Sequence, residues 1–297
     1  MTRRGAVLFA AMCVIWGIPY LMIRVAVREL APVTLVFLRT GIAALLLLPF
    51  AAHRGELRPL LARWRPLVAY TAIEVAIPWV LLARAETKLT SSLTGLLIAA
   101  VPLVGALVVT FTGERDRLGG RRWLGLLVGI VGVAALVGLD VGQVNVLALA
   151  EVGAVAVCYA IGPIILSRSL SGDPALGVVT ASLVLTTLVY APLAAANWPG
   201  SMPSAHVVES VLGLAVICTA LAFLVFFALI AEVGPVRATV VTYINPAVAA
   251  VLGVTLLGEQ LTTGMIIGFA LVLAGCALAT GRGPEVVAET PLAAERA

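Results

Sequence analysis

Two charged side chains stand where an apolar chain tolerates them least. Glu74 lies among Ala72, Ile73, Val75, Ala76, Ile77 and Pro78, and Arg39 follows Val36, Phe37 and Leu38. A charge at the centre of a bilayer costs about 2.5–3.5 kcal/mol on insertion scales, so such a residue faces a cavity or a partner. For Glu74, burial favours the neutral acid and gives a carboxyl that titrates near physiological pH, suited to a proton or a substrate amine. The plainer alternative is a permanently protonated or Arg-paired structural carboxyl. Arginine keeps its charge, and three roles are open to Arg39. It can bind a substrate carboxylate bidentately, hold Glu74 in an internal ion pair, or snorkel outward from its place about two turns inside the span.

A second set is aromatic and amide. Trp16 stands beside Pro19, and Tyr243 and Asn245 beside Pro246, near the middle of their apolar runs. A helix broken at that depth exposes carbonyls that must be satisfied internally or by water in a cavity, which favours pocket lining over plain packing for these three. For Tyr20, Trp79 and Tyr159, packing explains the residue equally well. Glu151, about two turns into its run, is a candidate for the rim of a vestibule. Glu114 and Glu259 each follow a glycine at a helix end, where a carboxylate accepts hydrogen bonds from the free amides of the following helix. Structural work is expected of both.

These residues must be held by membrane helices. Of 297 residues, 62% are hydrophobic and 11% charged, against about 25% charged in soluble domains, and mean hydropathy is +1.13. Six stretches carry no Asp, Glu, Lys or Arg: Gly5–Ile23, Thr90–Gly113, Trp123–Leu139, Pro174–His206, Ser210–Ala231 and Ala238–Gly258. About 20 apolar residues cross a bilayer. Apolar length and Gly, Pro or charge breaks place ten spans, at 5–26, 32–52, 66–85, 90–112, 122–139, 145–168, 175–196, 208–231, 237–257 and 262–281. The first run lacks a small-residue cleavage exit and is read as a helix rather than a signal peptide.

Orientation follows from the cations. With the N-terminus inside, fourteen arginines fall at the inner ends, while the outer side has only Arg24, Arg28, Arg84 and Lys88. That bias places both termini in the cytoplasm and makes the span number even. The residues after 282 read as a short polar tail.

Composition excludes a soluble enzyme and a nucleic-acid-binding domain; the net charge of +4 belongs to inner loops. Cys13, Cys158, Cys218 and Cys276 lie apart within apolar runs, which suits neither a disulfide framework nor a zinc site. Lys88 is the sole lysine and follows Thr87, so there is no phosphate-binding Gly-Lys loop. His53 and His206 lie in loops without an H-E-x-x-H pattern, and no G-x-S-x-G occurs. No cofactor and no metal are expected.

The chain also repeats. Pro102…Gly113-Glu114 is matched by Pro246…Gly258-Glu259, Gly125 and Gly132 by Gly268 and Gly275, Trp16-Gly17 by Tyr159-Ala160, and Pro32 by Pro174. The offset is 142–145 throughout. Residues 1–143 and 144–282 are therefore expected to be two copies of five helices each, with 283–297 as the tail. An odd number of helices per copy inverts the second, and inverted repeats mark transporters with substrate bound at mid-membrane between the halves. The seven-spaced glycines read as close helix contacts, and their faces offer a surface for a homodimer.

The run Leu221–Phe227, then Val233-Gly-Pro-Val-Arg-Ala, Tyr243-Ile-Asn-Pro246 and Leu257-Gly-Glu259, resembles the second repeat of EamA-type carriers. With Trp16-Gly17, Arg39 and Pro102…Gly113-Glu114, it makes residues 5–281 similar to the EamA type of the drug/metabolite transporter superfamily. The resemblance implies an all-α membrane protein of ten helices in two inverted five-helix repeats. It also implies transport of small metabolites, often export of amino acids or derivatives. Together these readings lead us to expect an inner-membrane efflux carrier working by alternating access, with the bilayer and a small solute as partners and Glu74 as proton-coupling group. Trp16, Arg39, Glu74, Tyr243 and Asn245 are the expected substrate-binding residues. The alternatives are uptake, a nucleobase or drug substrate, or a membrane scaffold that moves nothing.

Overall fold

Apolar runs separated by polar breaks become helices because a bilayer leaves no other way to satisfy the backbone of a single span. The computed structural model describes residues 1–111, 120–138 and 145–280. Among these residues there are nine helices long and apolar enough to cross a membrane and one shorter apolar helix. They are α1 (Arg3–Ala26), α2 (Pro32–His53), α3 (Trp64–Ala85), α4 (Ser91–Val108), α5 (Gly120–Gly138), α6 (Val146–Ser169), α7 (Ala175–Ala196), α8 (Ala205–Val233), α9 (Val241–Leu257) and α10 (Thr263–Thr280). No strand occurs among the described residues. The ten expected spans are all present.

Their ends differ in two informative places. α9 begins at Val241 rather than 237, because Gly234 at φ +82° turns the chain and Pro235–Ala238 forms a separate short helix before it. A positive φ there suits only glycine. α8 starts at Ala205, three residues before the expected 208, since Ser204 is a good residue to precede a helix. Gly113, Glu114 and the tail after 282 lie outside the described residues.

The helix pairs obey an exchange of each helix with the one five later. α1 packs on α8 as α6 packs on α3, α1 on α9 as α6 on α4, and α2 on α8 as α7 on α3. The pairs α2–α7, α4–α9 and α5–α10 map onto themselves. This is the contact pattern of two inverted five-helix repeats.

The seven-spaced glycines meet one another across α5 and α10. A Cβ on Gly275 would lie 2.6 Å from the Gly125 carbonyl oxygen and from the Gly129 nitrogen, and one on Gly132 would lie 2.8 Å from the Gly268 oxygen. Only backbone fits there, so the two helices touch main chain to main chain. These faces are used within the chain, and a second copy would have to dock elsewhere.

Helix irregularities are satisfied mostly from the opposite repeat. At Trp16-Gly17 the Gly17 N–H bonds to Val14 O at 2.9 Å, which frees the Cys13 carbonyl. The Asn245 amide nitrogen on α9 donates to that carbonyl at 3.0 Å and to Val241 O at 2.9 Å. In α4 the turn before Pro102 frees the Ala99 carbonyl, and the Cys276 thiol on α10 donates to it at 3.5 Å. Equivalent π-helical turns widen α3 at Thr71–Ala76 and α8 at Gly213–Leu221. In α3 the cause is Pro78, whose ring excludes the Glu74 carbonyl four residues back.

Polar clasps tie the repeats at both faces. At the face away from the N-terminus, Glu29 accepts from the Ser204 amide (2.7 Å) and hydroxyl (2.6 Å), Thr34 donates to Asn197 O at 3.1 Å, and Arg84 pairs with Glu151 at 2.8 Å. At the N-terminal face, Thr2 donates to Glu232, Gly177 N donates to Glu56 at 3.0 Å, and Arg63 lies 3.7 Å from Asp173.

A candidate substrate site around Arg39

Arg39 projects from α2 into the bundle, with 8% of its surface exposed. Its guanidinium carbon sits 3.8 Å from the centroid of the Trp79 ring on α3. Its Nε donates to the Thr219 hydroxyl on α8 at 2.9 Å. That hydroxyl in turn donates to Leu214 O at 2.8 Å, five residues back within the π turn. The widened turn of α8 thus aims Thr219, and Thr219 aims the arginine. A cation on an aromatic face gains about 2 kcal/mol when desolvated, which offsets part of the burial of the charge. Among the described residues no carboxylate pairs with it, and its two Nη groups remain without a partner and unsealed. Snorkelling does not occur: the side chain turns inward.

Glu74 sits in the widened turn of α3 and points at α6. A Cβ on Gly162 would fall onto its carboxyl, so glycine makes the room. One oxygen, Oε2, is sealed and unpartnered. Tyr70, Cys158 and Tyr159 are the titratable groups in electrostatic range. Arg39 and Glu74 form no ion pair. Tyr159 of α6 lies within electrostatic range of both, and packs beside Trp79.

An aromatic wall continues toward the N-terminal face. Trp16 lies 4.6 Å from Phe226 and 6.5 Å, edge-on, from Phe223, and Phe223 stacks with Phe227 at 6.2 Å. Phe223 and Phe227 pack on the cluster that holds Trp79. The structure therefore brings Arg39, Trp79, Tyr159, Thr219 and Phe223 together, with Glu74 on one flank and Trp16 on another. Asn245 is buried against the α1 break, and the Tyr243 hydroxyl faces Thr280 on α10 at 3.5 Å. Neither is brought to Arg39.

Two further carboxylates take structural positions. Glu151 is buried in its ion pair with Arg84. Glu259 accepts from Ser91 N (2.8 Å), Ser91 Oγ (3.0 Å), Ser92 N (2.8 Å) and Ser92 Oγ (2.5 Å). It therefore caps α4, and not the following helix as its position in the chain suggests; α10 is capped by the Thr262 hydroxyl at 3.2 Å. Thr219 and Glu86 escape a reading of the sequence. A threonine in an apolar run carries no penalty that draws notice, and Glu86 sits in the ordinary-looking charged stretch from Arg84 to Lys88.

The profile of the EamA-like transporter family matches residues 3–138 and 149–281, one match on each repeat. The chain belongs to the EamA-like transporter family. Among its relatives, the uncharacterised inner membrane transporter YedA of Escherichia coli K12 is 29% identical over 89% of this chain and 88% of its own length. The uncharacterised transporter YvbV of Bacillus subtilis 168 is 23% identical over 93% of this chain and 91% of its own. A solved crystal structure superposes with a TM-score of 0.65 at 19% identity, covering 94% of this chain and 97% of that one, a likeness of fold. As an EamA-like protein with ten apolar helices, the chain is a multi-pass membrane transporter of a small solute.

Proposed function

We propose that this EamA-like protein is an inner-membrane carrier that exports a small zwitterion, an amino acid or derivative, by alternating access, with proton coupling at Glu74. The observation that carries the reading is Arg39: a buried cation, fixed by Trp79 and Thr219, with its Nη pair free and no carboxylate paired with it among the described residues. A buried charge lacking a counter-ion is costly, and a substrate carboxylate accepting two parallel bonds relieves that cost. Glu74, in the neutral or ionised form, then answers to the proton or the amine. Trp16 supplies the wall toward the N-terminal face, while Asn245 and Tyr243 hold α9 against α1 and α10 beneath it. The arginine bias of the N-terminal face, and the inner-membrane assignment in the name of YedA, support cytoplasmic termini.

The test is flux. Purified protein in vesicles is given a pH gradient and a panel of labelled amino acids, each beside its carboxyl-amide. The reading expects gradient-driven movement of acids and not amides, lost in Arg39→Gln and uncoupled from pH in Glu74→Gln. Equal movement of the amides, or full activity in Arg39→Gln, would refute it. The stacked Phe223 and Phe227, with Trp16 edge-on to Phe223, favour a second reading, an amphipathic or aromatic substrate, which the aromatic members of the same panel address.

A further inference from the structure

Glu86 lies one residue beyond the α3 span, at the face away from the N-terminus, yet it is 0% exposed. Both carboxyl oxygens are sealed and neither has a hydrogen-bond partner. Among the described residues the charged groups around it can be named. Arg24, near the end of α1, is adjacent, but its Nη1 donates to the Glu86 backbone carbonyl instead of the carboxyl. Arg39 on α2 and Tyr20 on α1 lie on its inward side, within electrostatic range. Glu259, between α9 and α10, is the neighbouring carboxylate, already held by Ser91 and Ser92. On its own element, Arg84 is turned to Glu151 and Lys88 to solvent.

An ionised carboxylate next to a guanidinium would take its hydrogens. This one does not: among the described residues neither oxygen has a hydrogen-bond partner of ordinary geometry, and the Arg24 main chain adds only the smallest of the pulls toward ionisation. Burying an unpartnered carboxylate costs far more than burying a neutral acid, so the setting favours the neutral form, with the Arg24 cation held on the same residue's backbone carbonyl. Burial, and then the Glu259 carboxylate, hold the acid well above the usual carboxylate range against the pull of Arg24 and Arg39.

We propose that Glu86 is a second proton-binding site of the carrier, through which it exchanges a proton with the compartment opposite the N-terminal face. With that end closed the site is a neutral acid. When the end opens, the carboxyl O–H gives its proton to water and the resulting carboxylate pairs with Arg24; reprotonation precedes closure. The site is distinct from Glu74, which lies twelve residues earlier on α3. The proposal rests on the chain being a proton-coupled carrier.

Two readouts on full-length protein separate the two claims. The first needs no solute: infrared difference spectra in vesicles follow the C=O band of protonated carboxyls as the pH is raised. The second is exchange of a labelled amino acid that the wild type moves, with pH varied on one side at a time. Glu86→Gln should melt with the wild type and lose one protonated-carboxyl band that Glu74→Gln retains. Its exchange should no longer follow the pH opposite the N-terminal face, where the wild type changes about tenfold per pH unit beyond the midpoint. Arg24→Gln removes the group that favours ionisation and should move that profile to higher pH. A band unchanged in Glu86→Gln, or a wild-type profile in either variant, overturns the assignment to Glu86 while leaving the carrier standing. Absence of wild-type flux for every solute overturns the carrier reading and the exchange role with it, whatever the band shows.

Discussion

Thr219 is the joint on which the aim of Arg39 depends, and replacing it by valine isolates that joint. Valine keeps the branched shape, so packing within α8 changes little, but the hydroxyl that accepts from Arg39 Nε (2.9 Å) and donates to Leu214 O (2.8 Å) is gone. A hydrogen bond to a charged group contributes about 1.5–3 kcal/mol. If that bond sets the direction of the Nη pair, its loss raises the substrate concentration for half-maximal flux by roughly 10- to 150-fold, at about 1.4 kcal/mol per decade. The Arg39 Nε left without its acceptor also costs stability, about 1–3 kcal/mol where water does not reach it. The assay is initial-rate flux in vesicles against solute concentration, beside thermal unfolding of the same preparation. Thr219→Ser restores a hydroxyl at the same place and should recover most of the affinity. A folded Thr219→Val protein with wild-type half-saturation would refute the positioning argument, and with it the view that Arg39 must be held to bind.

Three other perturbations test the frame around the site. Glu259→Ala removes four hydrogen bonds from the start of α4 and leaves the Ser91 and Ser92 amides to water alone; a loss of about 2–4 kcal/mol is expected in unfolding, and an unchanged melting curve would deny the cap. Gly275→Ala drives a methyl into the α5 backbone, with contacts of 2.6 Å, and should destabilise by about 1–3 kcal/mol through separation of α5 from α10, whereas alanine at the unobstructed Gly153 should be silent. The Ser204 hydroxyl and amide hold the Glu29 carboxyl below its ordinary 4.5, so the clasp is intact at neutral pH and is lost only as pH falls through that lowered value. Hydrogen exchange at the Ser204 amide, corrected for its intrinsic rate, should stay slow down to about pH 4.5 and quicken below it, and it should be fast at all pH in Glu29→Gln.

The spans were legible because apolar length is a local property, and so was the repeat, because proline and glycine mark the same turns in both copies. Arg39 and Glu74 stand out for a related reason: a charge inside an apolar run is rare and costly. What surrounds them is not legible. The Arg39–Thr219 bond joins residues 180 apart, and nothing in Thr219 alone distinguishes it from Thr180 or Thr186. Asn245 was readable as a polar residue beside a proline, but only the packed structure shows its amide closing the break in α1. Glu259 was readable as a cap, but its own sequence neighbourhood points to α10, and the helix it caps begins 168 residues earlier.

The clasps bear on how such a molecule changes state. Glu29 with Ser204 at one face corresponds, at offsets of 144 and 141, to Asp173 with Arg63 at the other; Thr34 with Asn197 likewise corresponds to Gly177 with Glu56. The sequence repeat therefore supplies a matched pair of latches, one at each face. The matched latches are alike in kind at the two faces, and the Arg84–Glu151 pair adds to the face away from the N-terminus. On the carrier reading, a modest gap between the two faces lets a bound solute or a single proton decide which face opens, since one pH unit at a coupled site is worth about 1.4 kcal/mol. Deeper latches would lock one state. On the carrier reading, weakening one face alone, as in Glu29→Gln, biases the molecule toward opening there, and a cysteine at Tyr20 should then react faster with a hydrophilic thiol reagent added on that side. Weakening the opposite face with Arg63→Gln should slow the same reaction, and equal rates in the two variants would mean that the latches do not set the balance.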